Sequence, residues 1–195
     1  MPKERAYEEL LSVIQVQESE LDQLRHRLGR SEGLLHRYAQ RTCAIERLAT
    51  RLLAESNPQH MHDHATDAVV SELGWDTGLV VALDGTLPVV RSAAQVTQGQ
   101  LRQLYDQLGR DRRFPGLYAK REPLSTMGSR DPDALSLRTL FQTDEVAAQP
   151  VVFEDQLHGY LIGCGHTRDG RERTHEDLDF LGVIASLLGR ALPAT

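Results

Sequence analysis

Between Tyr7 and Leu52, apolar side chains return at alternating steps of three and four, and the register never slips. The series runs Tyr7, Leu10, Ile14, Gln17, Leu21, Leu24 and Leu28, then Ser31, Leu35, Tyr38, Thr42, Ile45, Ala49 and Leu52, with only Gln17, Ser31 and Thr42 polar. A repeat of about 3.5 residues sustained over this length predicts a coiled-coil helix. No proline follows Pro2 within residues 1–55 to interrupt it. With Tyr7 as position a, Glu20, Arg27 and Arg41 fall at g, and Arg25, Glu32 and Glu46 at the e positions that follow them. Each pair is opposite in sign, as a parallel, in-register homodimer requires. Such exposed pairs add little energy but select orientation. The expected dimer interface is therefore Leu10, Ile14, Leu21, Leu24, Leu28, Leu35, Tyr38 and Ile45. The alternative is a helical hairpin turning at "LGRSEGLL", where Gly29 and Gly33 each cost a helix about 1 kcal/mol relative to alanine. Periodicity alone leaves open whether the helix is single or breaks there.

The rest of the composition narrows the function. A net charge of −6 argues against nucleic acid as a partner, because such proteins carry a basic face. No apolar run is long enough to span a membrane. "MPKERAYEELL" has no uninterrupted apolar stretch, so it does not read as a secretion signal. Cys43 and Cys164 lie far apart, too few for a disulfide framework and consistent with a reducing cytoplasm. The expectation is a cytoplasmic protein with no membrane insertion.

After Glu55 the pattern changes. "SNP" predicts a helix start, with Asn57 as N-cap and Pro58 in the first turn. Met61, Ala65, Val69 and Leu73 then form one apolar face, and His60, His64, Asp67 and Ser71 a polar one. His62 leans toward the apolar side, so the three histidines at 60, 62 and 64 do not converge. His60 and His64, four apart, suit a metal with Asp63 or Asp67 nearby. The zinc-protease helix, however, has glutamate after its first histidine, where this chain has Met61. A solvated helix face is the simpler reading, and no metal site is expected.

"WDTGLVVALDGTLPVVRSAA" reads as two strands joined at Asp84–Gly85. "TQGQLRQLYDQLG" is an amphipathic helix with Leu101, Leu104 and Leu108 on one side. Residues 110–133 are irregular, and "DALSLRTLF" is a short helix. "EVAAQPVVFEDQLHGYLIGCGHTRDG" gives a strand, a tight turn near Glu154–Gln156, and a second strand. "THEDLDFLGVIASLLGRAL" is a closing helix with Thr174 as N-cap, Asp177 three residues on, and an inner stripe of Leu178, Leu181, Ala185 and Leu188. The order implies an α+β fold, an antiparallel sheet flanked by helices. The expected organisation is a coiled-coil helix over residues 1–55 and a globular domain over 56–195.

The stretch from "AAQPVVF" through "HGYLIGCGH" to "THEDLDFLGVIASLLGRAL" resembles the end of a GAF domain. That family closes with a proline-containing strand, a turn, a "GxL-I/V-G" strand and a "T-x-E-D-L-x-F-L" helix. The resemblance covers about residues 46 to 192 and is weak between 95 and 140. It implies a GAF-like antiparallel sheet and a sensory or regulatory role. It also implies that "GRDRRFPGLYAKRE" borders a small-molecule pocket. Guanidinium groups beside aromatics suit a flat anionic ligand such as a nucleotide. The candidate ligand-binding residues are Arg113, Phe114, Tyr118 and Arg121, with Arg138 on the short helix beyond. The "NKFDE" signature of cyclic-nucleotide GAF domains is absent, as is a context for a linked chromophore or haem, so no cofactor is named.

Cys164 lies in a predicted strand whose alternation allows either face. As a nucleophile it would suit a thiol enzyme of the free methionine sulfoxide reductase type, which resembles a GAF domain with several clustered cysteines. With Cys43 in the coiled coil, Cys164 has no evident resolving partner, and no catalytic residues are assigned. GAF-containing regulators usually run on into an effector, whereas this chain stops shortly after Leu192. Two expectations follow: a dimeric sensor that relays a ligand or partner signal through its coiled coil, or a non-sensing dimeric adaptor with an occluded pocket. An open cavity lined from residues 110–140 would favour the sensor.

Overall fold

A computed structural model of the chain describes residues 2–84, 87–110, 120–126, 132–165 and 175–192. The first element, α1 (Pro2–Ala54), is one uninterrupted helix. It runs through Gly29 and Gly33, so no hairpin forms at "LGRSEGLL". A methyl group added at either glycine would meet no neighbour. The chain divides into two compact units, Met1–Thr42 and Cys43–Thr195. The helix thus ends near residue 55, whereas the second unit begins at Cys43. The reason is packing: Ala44, Leu48 and Leu52 are buried within that unit.

In the first unit, Leu21, Leu24, Leu28, Leu35 and Tyr38 are exposed, Leu35 by 67%. The side chains of Leu10 and Ile14 lie outside the described ones. Ile45, at the far end of the heptad series, is half-buried, and Leu52 is only 1% exposed. The same helix therefore carries an open apolar seam and then a buried one.

In the second unit, α2 (Pro58–Ser71) starts where "SNP" predicts it. Asn57 is in extended conformation, and its side chain accepts from the Gln59 N–H. The Glu55 carboxylate accepts from the N–H groups of Ser56 and Asn57. These bonds, that of Asn57 foremost, lower its pKa. Five strands follow: β1 (Thr77–Asp84), β2 (Leu87–Ala94), β3 (Leu124–Ser125), β4 (Glu145–Phe153) and β5 (Gln156–Gly165). They form one antiparallel sheet in the order β2-β1-β5-β4-β3. Between them lie α3 (Gln98–Arg110) and α4 (Pro132–Phe141), and α5 (His175–Ala191) comes last. The proposed cap of α5, Thr174, falls outside the described residues. The two-residue turn Glu154–Asp155 has φ of 48° and 61°, the positive pair of a type I′ hairpin.

Both sheet faces are covered. On one, Leu48 and Leu52 of α1, Met61, Ala65 and Val69 of α2, and Leu181, Ala185 and Leu188 of α5 pack with Trp75, Val80 and Leu161. On the other, Leu104 and Leu108 of α3 and Leu137 and Leu140 of α4 pack with Leu79, Tyr160, Ile162 and Cys164. The "GxL-I-G" pattern of β5 follows from this arrangement. A Cβ at Gly159 would meet the Val81 carbonyl oxygen at 2.8 Å, and one at Gly163 the Trp75 ring at 2.6 Å. Gly163→Ala should cost about 1–3 kcal/mol, the usual penalty for overpacking a rigid site. A lowered midpoint in equilibrium chemical denaturation checks this, and an unchanged midpoint would show the ring is not seated on that strand.

Candidate functional site

A half-open cavity of about 140 Å³ lies on the sheet face covered by α3 and α4. Strand register sets its floor. Thr77 pairs with Cys164 and Leu79 with Ile162 across β1 and β5, so Thr77, Leu79 and Cys164 project to one side. Leu79, Leu104 and Cys164 are buried there. Val96 and Phe141 add apolar walls.

The rim is polar. Gln100, Gln103 and Gln107 come from one face of α3, and Gln142 and Thr143 follow the end of α4. Asp76, just ahead of β1, completes it. Helix α3 is fixed at its start by a reciprocal cap: Thr97 N–H donates to Gln100 Oε1 at 2.9 Å, and Gln100 N–H donates to Thr97 Oγ1 at 3.3 Å. The carbonyl end of the Gln100 amide is thereby engaged, and its NH₂ end remains for other partners. Tyr105 ties the helix to β2 by donating to the Val90 carbonyl at 2.9 Å. Gln142 holds a φ of +51°, a conformation in which a side chain is strained by about 1–2 kcal/mol. Gln142 lines the cavity all the same.

The face of Cys164, open from alternation alone, is thus the cavity face. Burial raises its thiol pKa, and the nearby Asp76 carboxylate adds to the effect. It therefore stays protonated at neutral pH, a poor nucleophile.

The expected binding residues are distributed otherwise. Arg113, Phe114 and Tyr118 lie outside the described residues. Arg121 donates to the Asp155 carbonyl at 2.7 Å, on the β4–β5 turn. Arg138 borders a shallow depression with Leu135, Thr139 and Asp144. Neither arginine lines the cavity. Its described lining comes from residues 76–79, 96–107, 141–143 and 164 rather than 110–140. One signal in the sequence pointed there: glutamines at 100, 103 and 107 share a helix face beside Leu104.

The histidine-rich helix start has a structural role. Asp63 Oδ1 accepts from Ser92 at 2.6 Å and from the Gln59 amide at 3.1 Å, and Gln59 also donates to the Arg91 carbonyl at 2.7 Å. These bonds clamp α2 to β2. His60 Nδ1 lies 3.2 Å from Glu55 Oε2. Among the described residues no group of three or more potential metal ligands assembles.

His62 packs inward, near His158 of β5 and Arg91 of β2. The register passes from Val151–Gly159 to Val152–Leu157 and skips His158, a bulge that re-aims its ring. His62 Nδ1 and His158 Nε2 are buried, and no hydrogen-bond partner is found for either among the described residues. Burial, then the Arg91 charge, lowers the His62 pKa to about 4, with Asp63 opposing and His158 adding to the fall. Burial lowers His158 as well. The unfolded chain takes up a proton at His62 near its ordinary pKa of 6.5, whereas the folded chain resists until about 4. Stability from this group is therefore full above pH 6.5 and is lost as pH falls toward 4. His62→Leu should flatten the stability-versus-pH curve across that window; identical slopes for variant and wild type would refute the assignment.

No protein-family model matches the sequence, and no curated protein matches it. The likeness is one of structure. The GAF domain of the cyanobacteriochrome TePixJ superposes with a TM-score of 0.56 at 19% identity, covering 72% of this chain and 91% of that one. The GAF domain of an Acinetobacter phosphoenolpyruvate-protein phosphotransferase gives 0.58 at 10% identity, over 77% and 90%. Residues 122 to 287 of a methyl-accepting chemotaxis protein give 0.58 at 11% identity, over 74% and 93%. The second unit has the GAF fold, an α+β arrangement preceded here by a long N-terminal helix.

Proposed function

We propose that the protein is a dimeric signalling module in which the GAF-fold domain takes a small ligand and α1 relays its presence. The observation that carries this reading is the half-open cavity, with a buried apolar floor and a rim of amides and hydroxyls. Ligand pockets combine an apolar body with a few convergent polar groups in this way. A sealed face over the same strands would have favoured the adaptor. The structurally similar proteins include a cyanobacteriochrome GAF domain and a methyl-accepting chemotaxis protein, in keeping with a sensory role. No catalysis is assigned, because the thiol beside the cavity is held protonated.

The dimer reading rests on the exposed seam of Leu21, Leu24, Leu28, Leu35 and Tyr38, with the complementary charges at g and e. An unbroken helix through Gly29 and Gly33 is what a parallel coiled coil needs. Among the described residues no helix is long and apolar enough to cross a membrane, and the proposed setting is the cytoplasm. The path of a signal is short. Asp76 and Thr77 line the cavity. Trp75, the residue before them, is buried on the opposite face in one cluster with Leu48 and Leu52 of α1. A ligand that shifts residues 76 and 77 acts on α1 through that ring, provided it binds two packings of the cluster unequally.

Leu24→Glu places a charge at a d position and should convert a dimer to a monomer with an intact globular unit. Sedimentation and circular dichroism together read this, and a persistent dimer would move the interface elsewhere. A mass spectrum recorded gently and then under denaturing conditions tests the sensor. A dimer carrying extra organic mass supports it, and a clean dimer favours the adaptor.

A further inference from the structure

We propose that Arg91, His62 and His158 form a second binding site, for a small oxyanion of the phosphate class, where α2 packs on β2 and β5. None of the three lines the cavity described above, and the site stands independently of the sensor reading.

The backbone singles out two of these residues. On β2 the register passes from Val80–Ser92 to Val81–Val90 and skips Arg91, just as on β5 it passes from Val151–Gly159 to Val152–Leu157 and skips His158. Strands β2 and β5 flank β1, so each neighbour of that strand carries one bulge. A bulged residue leaves the ladder and its side chain is re-aimed, and such irregularities gather beside binding sites. Two strand spacings amount to about 10 Å, a gap that two long side chains and one four-oxygen ion fill. The third residue belongs to α2. Gln59 donates to the Arg91 carbonyl at 2.7 Å, and Ser92 donates to Asp63 at 2.6 Å. The bulged part of β2 therefore holds the helix turn that carries His62.

His62 Nδ1 and His158 Nε2 are buried, and among the described residues neither has a hydrogen-bond partner. Leaving such atoms unmatched is costly, so an occupant that bonds both rings is favoured. Charge selects its class. Arg91 of β2 and Asp63 of α2 act on His62 in opposite senses, Arg91 more strongly, and His158 of β5 acts in the same sense as Arg91. The field at the ring is positive. Asp63 is also engaged, its Oδ1 accepting from Ser92 and from the Gln59 amide. A metal cation would meet Arg91, and among the described residues no group of three or more ligands assembles to hold it. An oxyanion can accept from both rings, because a neutral imidazole carries its proton on either nitrogen. It also suits the guanidinium fork. Arg91 is exposed and both histidines are half-buried, which leaves the ion a way in from solvent.

Such a site couples ion to proton. Each ring that gains a proton adds a positive charge facing the anion, so binding tightens as pH falls. By the same linkage the bound ion raises the His62 pKa from about 4 toward its ordinary value.

The test follows the histidine ring C–H signals of the full chain by NMR, from neutral pH to below about 4, in inorganic phosphate and in chloride of equal ionic strength. His62→Gln and His158→Gln assign the two signals. Both are expected to titrate higher in phosphate, by about one unit, which corresponds to about tenfold tighter binding to the protonated ring. His26 and His36, exposed on α1, should titrate alike in the two salts. In Arg91→Gln, which leaves the carbonyl bonded by Gln59 in place, the difference between salts should vanish. Glycerol phosphate separates the two sources of the ligand. A rise equal to that in inorganic phosphate supports the site with the phosphate group of a larger molecule as its ligand, and a rise in inorganic phosphate alone supports it with the free ion. Identical titrations in phosphate and chloride would mean that water alone satisfies the rings, and would overturn the proposal. A difference shared by His26 and His36, or one that survives Arg91→Gln, overturns it as well.

Discussion

The Trp75 ring resting on Gly163 is the contact from which the domain is organised. A side chain on β5 at that point would hold the indole away from the sheet, since even a methyl carbon would come within 2.6 Å of it. With the ring seated, the segment just ahead of β1 is pinned. Trp75 then joins one core, while Asp76 and Thr77 turn to the cavity on the other side. Burying so large an aromatic contributes several kcal/mol. The two layers are therefore not independent: whatever displaces Asp76 acts on a residue whose neighbour, Trp75, is packed with α1, α2 and α5.

Helix α1 answers two packing demands with one backbone. Its first part presents leucines to solvent in heptad register. Its last three turns present Ala44, Leu48 and Leu52 to the domain interior at strict steps of four. A step of four advances around a helix by about 40°, while the heptad seam drifts slowly in the other sense. The two stripes therefore sit on different faces, and Leu52 belongs to both counts. That is why it reads as a coiled-coil position and is spent on the globular core instead.

Elements with strong local signals were legible from the residues alone. The long helix, the Asn57 cap, the Glu154–Asp155 turn and the inner stripe of α5 each follow from periodicity or from one capping or turn residue. The candidate site was less legible. In sequence Arg121 reads as a cation beside aromatics, yet its guanidinium donates to the Asp155 carbonyl. The cavity depends instead on Thr77 facing Cys164 across two strands far apart in sequence, a consequence of register that no local pattern encodes. His158 teaches the same lesson, because a bulge sets where its ring points. The glutamine face of α3 was visible, but a polar stripe on a helix ordinarily means solvent, and only the sheet beneath turns it into a rim.

Trp75 is also the chain's one tryptophan. Its indole sits 1% exposed at the junction of both layers, so all tryptophan emission, excited apart from the tyrosines, originates from a single spot between cavity and helix. The protein thus carries its own optical label. Any event that loosens or tightens that junction will be written in the colour of its fluorescence, without a dye and without altering a residue.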